Sequence, residues 1–296
     1  MIRKMLIARR SLLALGAYCL SSNADAAEER FFDSAGIRIR YIEEGWGEPV
    51  VLVHGYTSDA EAQWTQTDVL QALAARYHVI ALDARGHGRS GKPHDPAQYG
   101  PEMGFDLLRL LDYLDITRAH IVGYSMGAHI VAQLVTTHPE RFLTATLGGA
   151  PGRLSWLLED QQRVEREAAE MEQGLLRSQI LRLWPHGELP PTEERIRELS
   201  AAQLVGQDPR ALAAVRLSNP AQVVTLAQMA AVTVPTLGVV GTADPYLSQF
   251  LELKAVMPQL DLVTIEAASH GSAPGRPEFS QAILAFLRAH VATPGR

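Results

Sequence analysis

The chain is short of cysteine, of surplus positive charge and of long apolar runs, and each shortage closes off a class of protein. One of its 296 residues is cysteine, Cys19, so no intramolecular disulfide can form and no Cys/His zinc site can be assembled. Lysine and arginine total 27 against 33 aspartates and glutamates, a net charge of −6 at neutral pH. With no basic stripe and no RNA-binding motif, that balance argues against a nucleic-acid partner. There is no H-E-x-x-H, no clustered metal-ligand spacing, no P-loop and no dinucleotide-type G-x-G-x-x-G leading from a strand into a helix. The expectation is therefore chemistry without a cofactor or metal. The apolar run at 11–20 is too short to cross a bilayer as a helix, so no stable membrane anchor is expected. No internal repeat or low-complexity segment is visible.

What is present suits one large α/β domain carrying an insertion. Hydrophobic residues make up 47% of the chain and charged residues 20%, ordinary values for a globular enzyme. The continuous β-branched run at 50–53 reads as a buried strand of a parallel sheet, and the runs at 78–82, 119–122, 142–147 and 262–265, with another opening at 234, read as further strands. Helical patterns at 68–76, 104–114, 128–135 and 278–287 alternate with them. Residues 30–42 read as an antiparallel hairpin at the sheet edge, left through the turn Gly45-Trp46-Gly47. The sum is a mostly parallel, doubly wound sheet with helices on both faces.

The stretch 153–222 breaks this rhythm and reads as a helical cap inserted into a core of 27–152 and 223–292. Within it, 157–183 reads as helical, with a run of Glu159, Arg163, Glu165, Arg166, Glu167 and Glu170 that suits a solvated face of i,i+4 pairs. Further helices start at Thr192 and Asp208. Trp156, Leu157, Leu158, Leu175, Leu176, Ile180 and Trp184 are candidates to line a substrate pocket or to form the core of the cap itself.

The chemistry concentrates in Gly123-Tyr124-Ser125-Met126-Gly127, set between an apolar strand and an apolar helix. A serine at a sharp strand-to-helix turn stands clear of the sheet, and the helix N-terminus behind it favours developing negative charge. Asp244 follows the apolar run that opens at 234, and His270 follows the one at 262–265. A serine hydroxyl needs a base to become a nucleophile, and a histidine needs an acid to fix its tautomer. The order Ser125, Asp244, His270 supplies nucleophile, acid and base. The segment after the strand that follows the elbow, 147–152, carries no carboxylate, so Asp244 has no competitor there.

These residues resemble the α/β-hydrolase fold superfamily, on its serine esterase and lipase-like side, over about 29–290. The resemblance implies an oxyanion hole from the backbone N–H groups of Tyr56 and Met126, with His54-Gly55-Tyr56 as the His-Gly turn. His54, Gly55, Trp156, Leu157, Trp184 and Tyr246 are then candidate substrate contacts. The segment Asp83-Ala84-Arg85-Gly86-His87-Gly88-Arg89-Ser90 is similar to one found in esterases, cofactor-free haloperoxidases and carbon–carbon bond hydrolases. Its role is read as structural, with Arg85 pairing an acid and His87 outside the catalytic set. Epoxide hydrolases and haloalkane dehalogenases carry a carboxylate at the elbow, which Ser125 excludes. The implied activity is hydrolysis of small to medium carboxylic esters through an acyl-enzyme. Lactonase, carbon–carbon hydrolase or haloperoxidase chemistry, and a non-enzymatic ligand-binding role, stand as alternatives. Nothing in the sequence fixes an oligomeric state.

The first residues carry a separate message. Arg3, Lys4, Arg9 and Arg10 precede the apolar run, and Ala24-Asp25-Ala26 is a small-x-small site. This pattern is that of a secretory signal cleaved after Ala26, giving a periplasmic or secreted protein; Arg9-Arg10 is compatible with twin-arginine export.

Overall fold

A computed structural model describes residues 28–290 of the chain. The expected leader at 1–26, with Cys19, and the tail at 293–296 lie outside the described residues. Eight strands form one sheet: β1 (Glu28–Ser34), β2 (Ile37–Glu44), β3 (Pro49–Val53), β4 (His78–Leu82), β5 (Ala119–Tyr124), β6 (Phe142–Gly148), β7 (Thr236–Gly241) and β8 (Asp261–Ile265). Their order is β1-β2-β4-β3-β5-β6-β7-β8. The hairpin β1–β2 stands at one edge, β2 runs antiparallel to β4, and every pair from β4 to β8 is parallel.

The continuous apolar runs follow from this topology. In β3, Val51 and Val53 enter the core on one face while Val50 and Leu52 enter the core on the other. A strand covered on both faces has no polar position to alternate with. On one face lie α2 (Pro101–Tyr113) and α3 (Met126–Thr137), packed through Met103, Leu107, Ile130 and Leu134. On the other lie α1 (Val69–Ala74) and the closing helix α10 (Pro277–Ala289), packed through Leu70, Leu73, Ile283 and Phe286.

Between β6 and β7 the inserted segment carries α4 (Leu158–Glu172), α5 (Arg177–Arg182), α6 (Glu193–Gln203) and α7 (Pro209–Leu217), ahead of a shorter helix that leads into β7. The inserted segment leaves and rejoins at one point, where Arg153 and Val223 form an isolated parallel bridge. Thr192 and Asp208 cap α6 and α7 with their side chains, as their sequence context suggests. The helix read across 157–183 is instead two, because Gly174 takes a left-handed conformation (φ +74°) and turns the chain between α4 and α5. Two short helices follow that the sequence reading left unassigned, α8 (Leu226–Ala230) and α9 (Leu247–Val256). Among the described residues no helix is long and apolar enough to cross a membrane.

Candidate active site

Ser125 is the junction of β5 and α3, and its backbone is strained (φ +52°, ψ −107°). Such angles persist only where the surroundings over-determine them. Here the turn is closed by the Ser125 amide on the Gly148 carbonyl (2.8 Å) and the His129 amide on the Ser125 carbonyl (3.1 Å). The flanking glycines are required by close approach. A Cβ on Gly123 would overlap the Gly127 carbonyl, and a Cβ on Gly127 would overlap the carbonyl of Val53 at the end of β3. That second contact brings the turn after β3 against the elbow: a Cβ on Gly55 would lie 3.5 Å from that of Ser125.

The residues after β7 and β8 converge on this point. The loops are tied together by the Thr242 amide on the Ile265 carbonyl (2.9 Å) and the Ala243 amide on the Ala268 carbonyl (3.0 Å). Asp244 and His270 thereby meet: His270 Nδ1 lies 2.8 Å from Asp244 Oδ2, and His270 Nε2 lies 2.9 Å from Ser125 Oγ. With Nδ1–H donating to the carboxylate, Nε2 is left to accept from the serine hydroxyl. Asp244 is buried and its other oxygen accepts from the Tyr246 amide (2.9 Å). The His270 ring lies between Tyr124 and Tyr246, each with its ring centroid 5.5 Å away. The Tyr124 hydroxyl donates to the His270 carbonyl. Burial, reinforced by Asp244, keeps that tyrosine protonated.

Among the described residues no acceptor takes the amides of Tyr56 or Met126. Met126 is the first residue of α3, and Tyr56 follows Gly55 in the turn packed on the elbow. Two donors without acceptors beside a serine hydroxyl are what an oxyanion hole would require.

The candidate substrate contacts divide. A cavity of about 420 Å³ opens over Ser125 and is lined by Gly55, Tyr56, Ile180, Trp184 and Tyr246 among others. His54 is not on it. That ring is buried, with Nδ1 2.7 Å from the Gly55 carbonyl and Nε2 accepting from the Ala84 amide (3.0 Å), so it clasps β3 to the loop after β4. Burial lowers its pKa and holds it neutral. Trp156 and Leu157 are also off the cavity. Leu157 is 61% exposed as the N-cap of α4, and Trp156 packs beside Arg153, because the chain turns outward before the helix starts. Leu158 is exposed, while Leu175 and Leu176 pack inside the inserted helices.

His87 is buried against His54 and Tyr56, and burial, then the His54 ring, lowers its pKa to about 3. Arg85 pairs with Asp106 through two bonds (2.7 and 2.6 Å). The segment 83–90 is thus a structural brace.

Sequence reasoning missed the cationic wall of the cavity. Arg153, Arg163, Arg182 and Arg216 line it, together with His129, Gln179 and Asn219. The Glu/Arg run of α4 is not a fully solvated face. Glu167 is 2% exposed, and its carboxylate meets Arg182 Nε and Arg216 Nε at 2.9 Å each and Arg163 at 3.6 Å. Burial alone would raise its pKa, but Arg216, Arg182 and Arg163 outweigh that and bring it to about 2. A signal was available: Glu167 lies three residues after Val164 and four before Met171, on the apolar stripe of α4. The network reaches the triad, since Arg182 donates to the Tyr246 hydroxyl (2.9 Å).

Among the described residues no group of His, Cys, Asp and Glu is arranged to hold a metal ion.

Comparison with known proteins places this geometry. A family model described as alpha/beta hydrolase fold matches residues 48–181. A dihydrolipoyllysine-residue acetyltransferase component of an acetoin cleaving system from Cupriavidus necator is 39% identical over 123 residues, 41% of this chain and 32% of that protein. A 2-hydroxy-6-oxo-6-(2'-aminophenyl)hexa-2,4-dienoic acid hydrolase from Metapseudomonas resinovorans is 32% identical over 136 residues, 45% of this chain and 46% of its own length. The matches span less than half the length of these two curated relatives. A solved hydrolase from Pseudomonas aeruginosa superposes with a TM-score of 0.71 at 26% identity, covering 89% of this chain and 99% of that one. An eight-stranded sheet with this order, a strained serine elbow and these likenesses lead to one statement: the chain has the α/β-hydrolase fold, and its residues 48–181 are similar to that family.

Proposed function

We propose that the chain is a serine hydrolase that cleaves carboxylic esters through an acyl-enzyme. The observation that carries this is the unbroken relay from Ser125 Oγ through His270 to Asp244, with its hydroxyl held on a strained elbow at a helix N-terminus. Ser125 Oγ attacks the ester carbonyl as His270 Nε2 takes its proton. The oxyanion forms against the amides of Tyr56 and Met126. Collapse expels the alcohol, which receives the proton from His270. A water molecule then attacks the acyl-enzyme, giving its proton to His270, and the acid leaves as Ser125 is reprotonated. Asp244 orients the ring and stabilises its charged form.

The test is a chain-length series of p-nitrophenyl esters, run alongside labelling of Ser125 by a fluorophosphonate. Turnover together with labelling supports the reading; a Ser125 that does not label at an enzyme-like rate overturns it. Carbon–carbon bond hydrolysis is the second reading, favoured by relatives named for it, including a 2-hydroxymuconate semialdehyde hydrolase from a Pseudomonas strain at 37% identity over 120 residues. A labelled Ser125 with no ester turnover but cleavage of a vinylogous diketone selects it. We also read the enzyme as exported on the leader at 1–26. A mature N-terminus at Ala27 supports this, and an intact Met1 in exponentially growing cells overturns it.

A further inference from the structure

Four arginines border the cavity over Ser125, and three of them are matched. Glu167 serves Arg182 and Arg216 at 2.9 Å each, and Arg163 has Asp160 at 2.7 Å besides. Arg216 also donates to Gln179 (2.7 Å), and Arg182 to Tyr246. Arg153 is the exception. Among the described residues no carboxylate forms an ion pair with it, and its buried Nε has no hydrogen-bond partner. Its guanidinium has one aromatic neighbour, the Trp156 ring at 5.7 Å. Burial above all, with the charges of Arg216, Arg163 and Arg182, outweighs the help of Tyr246 and lowers its pKa to about 9, so it remains a cation at neutral pH.

The backbone at this position is fixed. Arg153 closes the base of the insertion, bridged to Val223, with its carbonyl taking the Val224 amide (2.9 Å). The side chain shares the cavity wall with His129 and Tyr246. His129 is four residues along α3 from Ser125, about 6 Å of rise. Its buried Nδ1 is likewise without a partner. Burial, Arg153 and the other cations keep it neutral, so it offers a hydrogen bond rather than a charge. Arg153 is half-buried with its Nε shielded, and Asp160 lies within electrostatic reach of it without pairing; a partly desolvated guanidinium with no ion-pair partner on a cavity wall is suited to a ligand that brings an anion. A guanidinium with free donors matches a carboxylate in planar, two-bond fashion.

We propose that the cavity receives an acyl substrate bearing a free carboxylate, a hemiester of a short dicarboxylic acid, with its far carboxylate on Arg153 and its ester carbonyl at Ser125. This rests on the serine-hydrolase reading above. Ser125, His129 and Arg153 line the same cavity of about 420 Å³, which suits a short spacer between the two carbonyl groups.

The experiment compares mono-4-nitrophenyl glutarate with the neutral 4-nitrophenyl pentanoate in wild type, Arg153→Gln and Arg153→Lys. In wild type, kcat/KM favours the charged ester about tenfold or more. Arg153→Gln lowers the charged-to-neutral ratio by roughly 10–100-fold, chiefly through KM, and Arg153→Lys retains part of the preference. Free glutarate protects Ser125 from fluorophosphonate labelling, and the protection weakens in Arg153→Gln. Thermal melts check that both variants fold. A wild-type ratio at or below one, a ratio that Arg153→Gln leaves unchanged, or better protection by inorganic phosphate than by glutarate overturns the proposal. Normal labelling with any of these outcomes leaves the serine hydrolase standing, whereas absent labelling sinks that reading first. If neither ester turns over, calorimetric binding of glutarate decides: binding lost in Arg153→Gln upholds the site, and no binding in wild type refutes it.

Discussion

The two walls of the cavity are held in different ways. The sheet side is fixed by main chain: glycines that admit carbonyl oxygens, a serine amide on Gly148, and two loops laced together behind Asp244 and His270. The helix side is fixed by side-chain charge, with one buried carboxylate gathering three arginines. The first arrangement allows almost no adjustment, because every atom in it is shared with the fold. The second changes with a single side chain. A reaction can therefore be kept while the preference for what is reacted shifts, which is how one scaffold hosts many substrates.

The contrast is broken most severely at the proposed nucleophile. Ser125→Ala is expected to lower kcat by roughly 10⁴–10⁶-fold while the melting temperature moves by no more than about 2 °C, read by single-turnover assay and calorimetry. Asp244→Asn should cost about 10³–10⁴-fold in kcat, since the buried amide no longer favours the productive His270 tautomer. A smaller loss would mean that the ring is held mainly by Tyr124 and Tyr246.

On the other wall the expected currency is stability. Glu167→Ala strands Arg182 and Arg216 and should destabilise the inserted helices by about 3–5 kcal/mol. Hydrogen exchange should show the loss in α4, α5 and α7 but not in β3 or β5. The same carboxylate predicts a pH window. Its folded pKa, about 2, lies below the ordinary 4.5, so its contribution is complete above the unfolded value and disappears as pH falls from about 4.5 towards 2. The difference corresponds to roughly 3 kcal/mol, and the acid transition of Glu167→Gln should be correspondingly flat in that range. The smallest effect belongs to Tyr56→Phe. It removes the hydroxyl bond to the Leu212 carbonyl (2.7 Å) and should cost about 1 kcal/mol of stability, with kcat within about threefold because the amide remains.

The two walls were not equally legible in the sequence. Ser125, Asp244 and His270 each follow an apolar strand directly, so local pattern and chain order place them at one end of a parallel sheet. Arg85 could be assigned an acid but not which one; Asp106 joins it only through the packing of α2. The arginines of the cavity come from 153, 163, 182 and 216, four positions with no common period, and only the turn at Gly174 and the crossing of α4 with α7 assemble them. Leu157 and Trp156 illustrate the converse error. Apolar side chains near a predicted insertion look like pocket lining, but a helix start points outward as readily as inward. His54 shows a third case, where a residue beside the oxyanion turn serves it from behind, through the Ala84 amide and the Gly55 carbonyl.

Tyr56 carries a consequence for inheritance. Its amide lies in the turn packed on the elbow, while its ring lies under the Arg216 guanidinium (4.0 Å) and its hydroxyl reaches the Leu212 carbonyl and Met171. One residue is thus owned by both parts of the molecule. The inserted helices are not a portable accessory that recombination can exchange at the Arg153–Val223 seam alone. A graft of foreign helices would arrive without the acceptor and the cation that seat this ring, and the turn proposed to supply an oxyanion donor would inherit the mismatch. Lineages that trade these helices are expected to trade position 56 with them.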